Sequence, residues 1–261
     1  MTANCILERV HETRSTNDDL LERWRLGELI DPVSRIAQNQ TAGKGRAGRA
    51  WIANPKDSLC FSLAYPFKRT PSELSGLSLL VGLAVIHGIA QACNLNQTQL
   101  QRAGLRLKWP NDILLNGTKL GGILIEGGQA KAGDPTWMII GIGINLRNEA
   151  GIESSLSTGL KAGSLAQLTN AVPDVECLWL KCIASLENYL AEFDLRGFQP
   201  WRDQWMEWDA YQEQSIFISG GGREPIYGIA KGIDETGALL LQQENNTVCI
   251  HAGDVSLRTQ S

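Results

Sequence analysis

The stretch "QTAGKGRAGRAWIANPKDSL", residues 40–59, decides which fold this chain can adopt. Gly43, Gly45 and Gly48 fit the G-x-G-x-x-G spacing of a dinucleotide-binding turn. Such a turn opens a helix and is followed, about twenty residues on, by a carboxylate for the ribose. Here Asn54-Pro55 interrupts any helix, and the segment at that distance reads "LAYPFK", without an acid. The doubly wound nucleotide fold is excluded. The G-K-[ST] ending of a P-loop is missing too, because Gly45 follows Lys44, and the chain contains neither H-R-D nor D-F-G. What remains is glycine alternating with Lys44, Arg46 and Arg49. Each glycine costs about 0.5–1 kcal/mol relative to alanine in regular structure, so the alternation points to a job. It lets backbone N–H groups and long cationic side chains close over an anion.

Working outward, the flanking segments read as an α+β fold. "SRIAQNQ" runs as a strand into the loop, and "SLCFSLAY" leaves it as a strand with Leu59, Phe61, Leu63 and Tyr65 on one side. Upstream, "STNDDLLERW" opens a helix capped by Ser15 or Thr16, with Asp18 and Asp19 in its first turn and Leu20, Leu21 and Trp24 buried. Downstream, Thr70, Pro71 and Glu73 form a capping box predicted to open the long apolar helix that ends in "IAQAC". "LRLKW" is a strand, "DILLNGTKLGGILIEG" is a hairpin turning at Asn116-Gly117, and "TWMIIGIGINL" is another strand. "VECLWLKCIASLENYLAEF" is an amphipathic helix, and a Trp-rich helix, "PWRDQWMEW", follows. From about residue 214 the pattern is short strands and turns, including "NNTVCIHAGDVSLR", which suggests a small β-barrel. The predicted organisation is residues 1–212 as a ligand-binding domain and residues 213–261 as a C-terminal β-domain.

The bulk numbers narrow the function. With 261 residues and 43 % apolar content, a sizeable core is expected. A net charge of -4 argues against nucleic acid as partner and for one local anion site. Six cysteines without a C-x-x-C pair read as reduced, buried thiols, and three scattered histidines give no metal constellation. The longest apolar stretch carries Ser, His and Gln and reads as a core helix, not a membrane span.

Two further motifs carry polar groups at strand ends. "KWPND", residues 108–112, places Asn111 and Asp112 directly after a strand and a proline. "KLGGILIEG", residues 119–127, puts Lys119 before Gly121 and Gly122, which weaken a strand unless something approaches closely.

Taken in order, "STN" (15–17), the glycine-cation loop, "KWPND", "KLGGILIEG", "GIGINL" (141–146) and "GIAKGIDETGALLL" (228–241) make the chain resemble the biotin protein ligases. The resemblance spans nearly the whole sequence. It implies a class II synthetase-like mixed β-sheet flanked by helices, plus an SH3-like C-terminal barrel. It implies that biotin and ATP form biotinyl-5′-AMP, and that biotin then passes to a lysine of the biotin carboxyl carrier protein of acetyl-CoA carboxylase. Ser15, Thr16, Asn17, Gln40, Lys44, Gly45, Arg46, Lys119, Gly121 and Gly122 correspond to biotin positions. Arg46, Arg49, Trp51, Asn111, Asp112 and Asn145 correspond to ATP positions, and Lys44, Arg46 and Lys119 to the catalytic cations. Mg²⁺ is expected on the ATP phosphates, with Asp112 orienting either a lysine or a Mg²⁺-bound water. Lys44 stands where the family commonly has arginine, which keeps the charge and loses the bidentate fork. Fourteen residues precede Ser15, too few for the helix-turn-helix of the repressor members, so no DNA binding is expected. The implied setting is cytoplasmic, without membrane attachment. An exposed strand edge is expected to pair with the carrier or with a second copy. A lipoate or octanoate ligase or acyltransferase of related fold is the alternative.

Overall fold

The computed structural model of the chain describes residues 4–147, 161–220, 223–244, 246–251 and 256–259. A seven-stranded mixed sheet organises the larger part. Its strands are β1 (Ile6–Thr13), β2 (Val33–Gln40), β3 (Ser58–Phe67), β4 (Leu105–Lys108), β5 (Asp112–Leu115), β6 (Thr118–Gly128) and β7 (Thr136–Asn145). They lie in the order β1-β2-β3-β7-β6-β5-β4, with β1 and β2 parallel and every other pair antiparallel. The β5–β6 turn is as predicted, with Asn116 at φ 48° and Gly117 at φ 75°, the left-handed values a two-residue hairpin requires.

Helices cover both faces, which is why β3 is buried on both sides rather than alternating in and out. Helix α1 (Thr16–Arg25) lays Leu20 and Leu21 on Val33, Ala64, Trp137 and Ile139. On the opposite face α2 (Leu77–Cys93) and α4 (Val175–Arg196) close the main core over Phe61, Leu63, Ile140, Ile142 and Ile144. The short α3 (Gln97–Arg102) leads into β4.

Two expectations about helix starts need correction. The Thr70–Glu73 capping box is present, but it opens a 3₁₀ turn, Pro71–Leu74. Gly76, at φ 79°, then breaks the path, and α2 begins afresh at Leu77. The Trp-rich segment is a 3₁₀ turn, Gln199–Trp201, followed by the five-residue α5 (Arg202–Met206).

The C-terminal part is a five-stranded antiparallel sheet of β8 (Ser215–Gly220), β9 (Arg223–Ile233), β10 (Leu239–Gln243), β11 (Asn246–Ile250) and β12 (Ser256–Thr259), ordered β11-β10-β9-β8-β12. Within "NNTVCIHAGDVSLR", Asn245 and residues 252–255 lie outside the described residues. This sheet shares its core with the larger part: Ile216, Ile218, Ala230, Ile233, Leu239 and Leu241 belong to the same apolar cluster as α2. Two hydrogen bonds reinforce the join, Trp109 Nε1 to Gly237 O at 2.9 Å and Arg202 Nε to Ile233 O at 2.9 Å. All six cysteines are free. Cys5, Cys60 and Cys182 are buried as expected, but Cys93 and Cys177 are half-buried and Cys249 is exposed on β11.

Candidate active site

The site sits where the N-terminus of α1 meets the ends of β2, β5 and β6. Ser15 caps α1 by accepting from Asp18 N, and Ser15, Thr16 and Asn17 are all buried. Thr16 N–H donates to Gln40 Oε1 at 2.8 Å, and Thr16 Oγ1 lies 2.7 Å from Ser62 Oγ. Ser62 donates to Asn17 Oδ1 at 2.7 Å, and Asn17 Nδ2 donates to Glu126 Oε2 at 2.9 Å. Four buried or half-buried polar side chains thus lead, one to the next, from the cleft to a carboxylate.

The glycine-cation loop folds over this floor as a small hairpin. Gly45 N donates to Arg49 O, Trp51 N to Gly43 O, and Lys44 pairs with Ala50 in an isolated bridge. Arg46–Gly48 forms one 3₁₀ turn, with Ala47 at φ 54°. Lys44 Nζ meets Asp18 Oδ1 at 2.7 Å, Arg46 Nη1 donates to Asn111 Oδ1 at 3.2 Å, and Arg49 Nε donates to Arg46 O at 3.0 Å. The loop ends in Trp51, whose indole lies flat on the sheet where β7 has no side chains. A Cβ on Gly143 would stand 2.4 Å from the indole, and a Cβ on Gly141 would stand 2.4 Å from Asn17 Oδ1. Below Trp51, burial pushes the Cys60 thiol up to about 11, against the opposing pull of the Trp51 and Gln40 side chains. It stays protonated and inert.

The third wall is a buried charge triad. Lys119 Nζ lies 2.6 Å from Asp112 Oδ1 and Lys108 Nζ lies 3.4 Å from Asp112 Oδ2. All three side chains are nearly out of solvent, at 12 %, 9 % and 4 % exposure for Lys119, Asp112 and Lys108. Burial pushes the Asp112 carboxyl up, but the two lysines together outweigh it and hold it below the usual carboxylate range. Two buried cations thus share the two oxygens of one carboxylate in a dry wall. The Lys119 backbone is clamped on two sides, by Leu114 of β5 and by the 161–163 segment through Lys119 N to Lys161 O and Gly163 N to Lys119 O. Lys119 Nζ also sits 5.8 Å from the Trp51 ring centre.

Of the residues selected from the sequence, Ser15, Thr16, Asn17, Gln40, Lys44, Gly45, Arg46, Arg49, Trp51, Asn111, Asp112, Lys119 and Gly122 all line one cleft. Gly121 and Asn145 do not. Gly121 packs against Gly143 O across the sheet, where a Cβ would come within 2.8 Å. Asn145 is buried beside the cleft and donates to Lys119 O and Gly163 O, while its Oδ1 has no hydrogen-bond partner among the described residues. Lys108, Ser62, Cys60, Glu126, Gly141 and Gly143 were not selected. Ser62 carried a signal, a hydroxyl inside an apolar strand, and so did the glycines of "GIGIN". Lys108 lay in the quoted motif without a role, and Glu126 had none to give, because its partner Asn17 is 109 positions away.

A helix-flanked mixed sheet with a cation-lined cleft over its polar floor is the architecture of an anion-handling ligase domain. Residues 10–145 match the model of the Biotin/lipoate A/B protein ligase family, and residues 217–258 match the Biotin protein ligase C terminal domain. The chain belongs to that family. It is 34 % identical, over 95 % of its length and 88 % of the relative's, to the biotin–[acetyl-CoA-carboxylase] ligase of Mycobacterium tuberculosis. It is 33 % identical to the bifunctional ligase/repressor BirA of Salmonella typhimurium, over 94 % of this chain and 72 % of that one. Among solved structures it matches the Aquifex aeolicus biotin protein ligase in complex with biotin and ATP, with a TM-score of 0.80, 26 % identity and coverage of 98 % and 99 % of the two chains.

Proposed function

We propose that this chain is an ATP-dependent biotin protein ligase. It joins biotin and ATP into biotinyl-5′-AMP, releases pyrophosphate, and passes biotin to a lysine of the biotin carboxyl carrier protein of acetyl-CoA carboxylase. The observation that carries the reading is the convergence of cations on the cleft. Lys119 and Lys108 share one carboxylate, and Arg46 is held beside them through Asn111. A carboxylate and an α-phosphate about 4 Å apart repel by roughly 4 kcal/mol at an effective dielectric of 20. Cations converging on such a dry wall offset that repulsion and steady the charge that builds in the transition state.

The chemistry then runs in two displacements. A biotin carboxylate oxygen attacks the α-phosphorus, an acyl–phosphate bond forms, and the bond to the β-phosphate oxygen breaks, with its electron pair leaving on pyrophosphate. The deprotonated lysine amine of the carrier attacks the acyl carbon, and AMP leaves. Lys119, Arg46 and Lys44 are the cations assigned to the first step. Ser15, Thr16, Asn17, Gln40 and Gly45 hold the ureido end, and Trp51 covers the ring system over Gly122. Arg49, Asn111, Asp112 and Asn145 are assigned to the nucleotide side, Asn145 from beside the cleft, where it holds Lys119 O and Gly163 O. Both Asp112 oxygens already face lysines, and no group of three or more His, Cys, Asp or Glu placed to hold a metal ion occurs among the described residues. Asp112 therefore orients the lysines, and Mg²⁺ enters on the phosphates of ATP.

For the carrier, the open half of β6 is the docking edge. Beyond Gly122, β6 pairs only with β7 among the described residues, and Asn111 occupies the outward backbone of Ile123 through Ile123 N to Asn111 O and Asn111 Nδ2 to Ile123 O. An extended carrier segment adding there brings its lysine to the mouth of the cleft; two copies of this chain pairing by the same edge would exclude it. No helix among the described residues is long and apolar enough to cross a membrane. A cytoplasmic setting is assigned from the carrier enzyme. ATP–pyrophosphate exchange measured with biotin, lipoate and octanoate tests the reading. Exchange with biotin, followed by label transfer to a carrier domain, is expected; exchange only with lipoate or octanoate, or none, overturns it.

A further inference from the structure

From the register of β5 and β6 we infer that Asn145 and Gly163 are positioning residues for Lys119, holding a one-residue bulge that aims its side chain into the cleft. This inference rests on the ligase reading above, in which Lys119 is a catalytic cation. Successive side chains of a strand point to opposite faces of the sheet. On β6, Ile123 belongs to the apolar core beneath α2. Gly122 lies on the other face, where an added Cβ would stand 3.4 Å from the Trp51 ring and 3.5 Å from Lys119 Nζ. Unbroken alternation would put Lys119 on the core face with Ile123, away from Gly122. The ladder is broken between them. Gly121 pairs with Ile113, but Lys119 pairs with Leu114, so Leu120 is an extra residue on β6. Such a bulge switches the face of every side chain on its far side. Leu120 is fully buried in the apolar core. Lys119 therefore emerges on the face of Gly122, with its ammonium 2.6 Å from Asp112.

The bulge carries the Lys119 peptide groups past the end of the β6–β7 ladder, which begins at Gly121 and Ile144. Segment 161–163 takes the place of β7 there, as a parallel bridge between Lys119 and Ala162. Lys119 N donates to Lys161 O at 2.8 Å, and Gly163 N donates to Lys119 O at 2.8 Å. Asn145, the first β7 residue past that ladder, ties the two together. Its Nδ2 donates to Lys119 O at 3.3 Å and to Gly163 O at 3.0 Å. Position 163 has no room for a side chain, because a Cβ would stand 2.2 Å from Thr118 Oγ1, on the residue before Lys119. Neither Asn145 nor Gly163 lines the cleft, whereas Lys119 does. Asn145 thus serves the nucleotide side through Lys119. A long, flexible lysine delivers its charge to one place only when its root is held, and β5, segment 161–163 and Asn145 hold this one.

A positioning role separates rate from binding in a way that a merely structural role does not. In the full-length protein, Asn145→Ala and Gly163→Ala should each slow single-turnover pyrophosphate release about tenfold or more, since a misplacement of about 1 Å can cost about 10² in rate. KM for biotin should stay within about twofold, because the loss falls on the transition state. In a Lys119→Ala background neither substitution should slow release further, because each acts through that side chain. The preference of Asn145→Ala for ATP over inosine triphosphate, which lacks the adenine amino group, should equal that of wild type. Rates are compared below the melting temperature of each variant, and if one variant does not fold the other carries the test. A wild-type rate in a folded variant, a further loss on top of Lys119→Ala, or a collapsed preference for ATP would each overturn the inference. The wild-type protein assayed alongside keeps the two levels apart: absence of biotin-dependent pyrophosphate release there refutes the ligase reading itself.

Discussion

Lys119 Nζ lies 2.6 Å from Asp112 Oδ1, while Lys108 holds the other oxygen of the same carboxylate at 3.4 Å. One buried anion therefore serves two cations. Lys119→Ala removes the cation that faces Trp51 and the cleft, yet leaves Asp112 paired with Lys108. The expected outcome is a loss of about 10²–10³ in adenylation rate, the range seen for removing one transition-state charge stabiliser. Melting temperature should fall by only a few degrees. A single-turnover assay of pyrophosphate release beside a thermal melt checks it, and unchanged turnover refutes the role of Lys119.

Asp112→Asn is the complementary test, and its sign differs by pH. The carboxyl is held below its ordinary value in the folded chain. Its contribution to stability is present above the unfolded carboxylate pKa of about 4 and is lost as pH falls through the lower folded value. The variant should therefore be clearly destabilised at pH 7, by about 3 kcal/mol as for breaking a buried pair, and the difference from wild type should narrow only below pH 4. Urea titrations at pH 7 and pH 3.5 report it. A deficit that vanishes already at pH 6 would contradict the assigned direction.

Lys44 replaces the arginine common at its position, and its ammonium meets Asp18 at 2.7 Å with both side chains part-exposed. Exposed pairs contribute about 0–1 kcal/mol, so Asp18→Asn should leave the melting temperature nearly unchanged. Its effect belongs to the loop, which Lys44 ties to α1. Limited proteolysis should cut within residues 43–51 faster in Asp18→Asn than in wild type. Biotin plus ATP should protect both, as the loop closes over the adenylate. Equal cleavage of the two proteins without ligand would remove the tie, and equal cleavage of wild type with and without ligand would remove the closure.

Much of this was legible in the sequence because it is local. The Asn116-Gly117 turn, the Ser15 cap and the strand runs each depend on neighbours a few positions away. The start of α2 was misplaced because the capping box is also local and genuine; Gly76 decides the matter by turning the chain after one 3₁₀ turn. The cations of the cleft announced themselves by alternating with glycine. Glu126 and Ser62 did not, because each meets Asn17, 109 and 45 positions distant, and only the packing of α1 on the sheet brings them together. The shared core of the two parts was hidden likewise, since Trp109 meets Gly237 across 128 positions.

Gly143 tests the sheet beneath the loop. Trp51 can lie flat only because β7 carries no side chain there, and a Cβ at Gly143 would stand 2.4 Å from the indole. The indole cannot retreat into the sheet, so Gly143→Ala should lift Trp51 and the end of the loop. Adenylation should fall at least tenfold, with biotin binding weakened and the sheet intact by circular dichroism. Trp51 fluorescence alone is masked by seven other tryptophans, so the comparison needs Trp51→Phe as a control. If Gly143→Ala binds biotin as wild type does, the flat packing of Trp51 is not what shapes the cleft.

Asp209 offers a stability change with the opposite sign. Burial pushes its carboxyl up to about 6, against the Tyr211 N–H that it accepts at 3.0 Å, while Oδ2 finds no partner among the described residues. A folded pKa above the unfolded value means that the folded state prefers the protonated acid. That preference favours folding fully below the unfolded pKa of about 4 and is lost as pH rises through 6, so above 6 the ionised group opposes folding. Asp209→Asn keeps the acceptor for Tyr211 and removes the charge. The variant should melt higher than wild type at pH 8, and the advantage should shrink between pH 6 and pH 4. Thermal melts across that range decide it: an advantage that grows as pH falls, or a variant less stable at pH 8, would mean that the Asp209 carboxylate is solvated or paired in the folded chain rather than stranded beside β4.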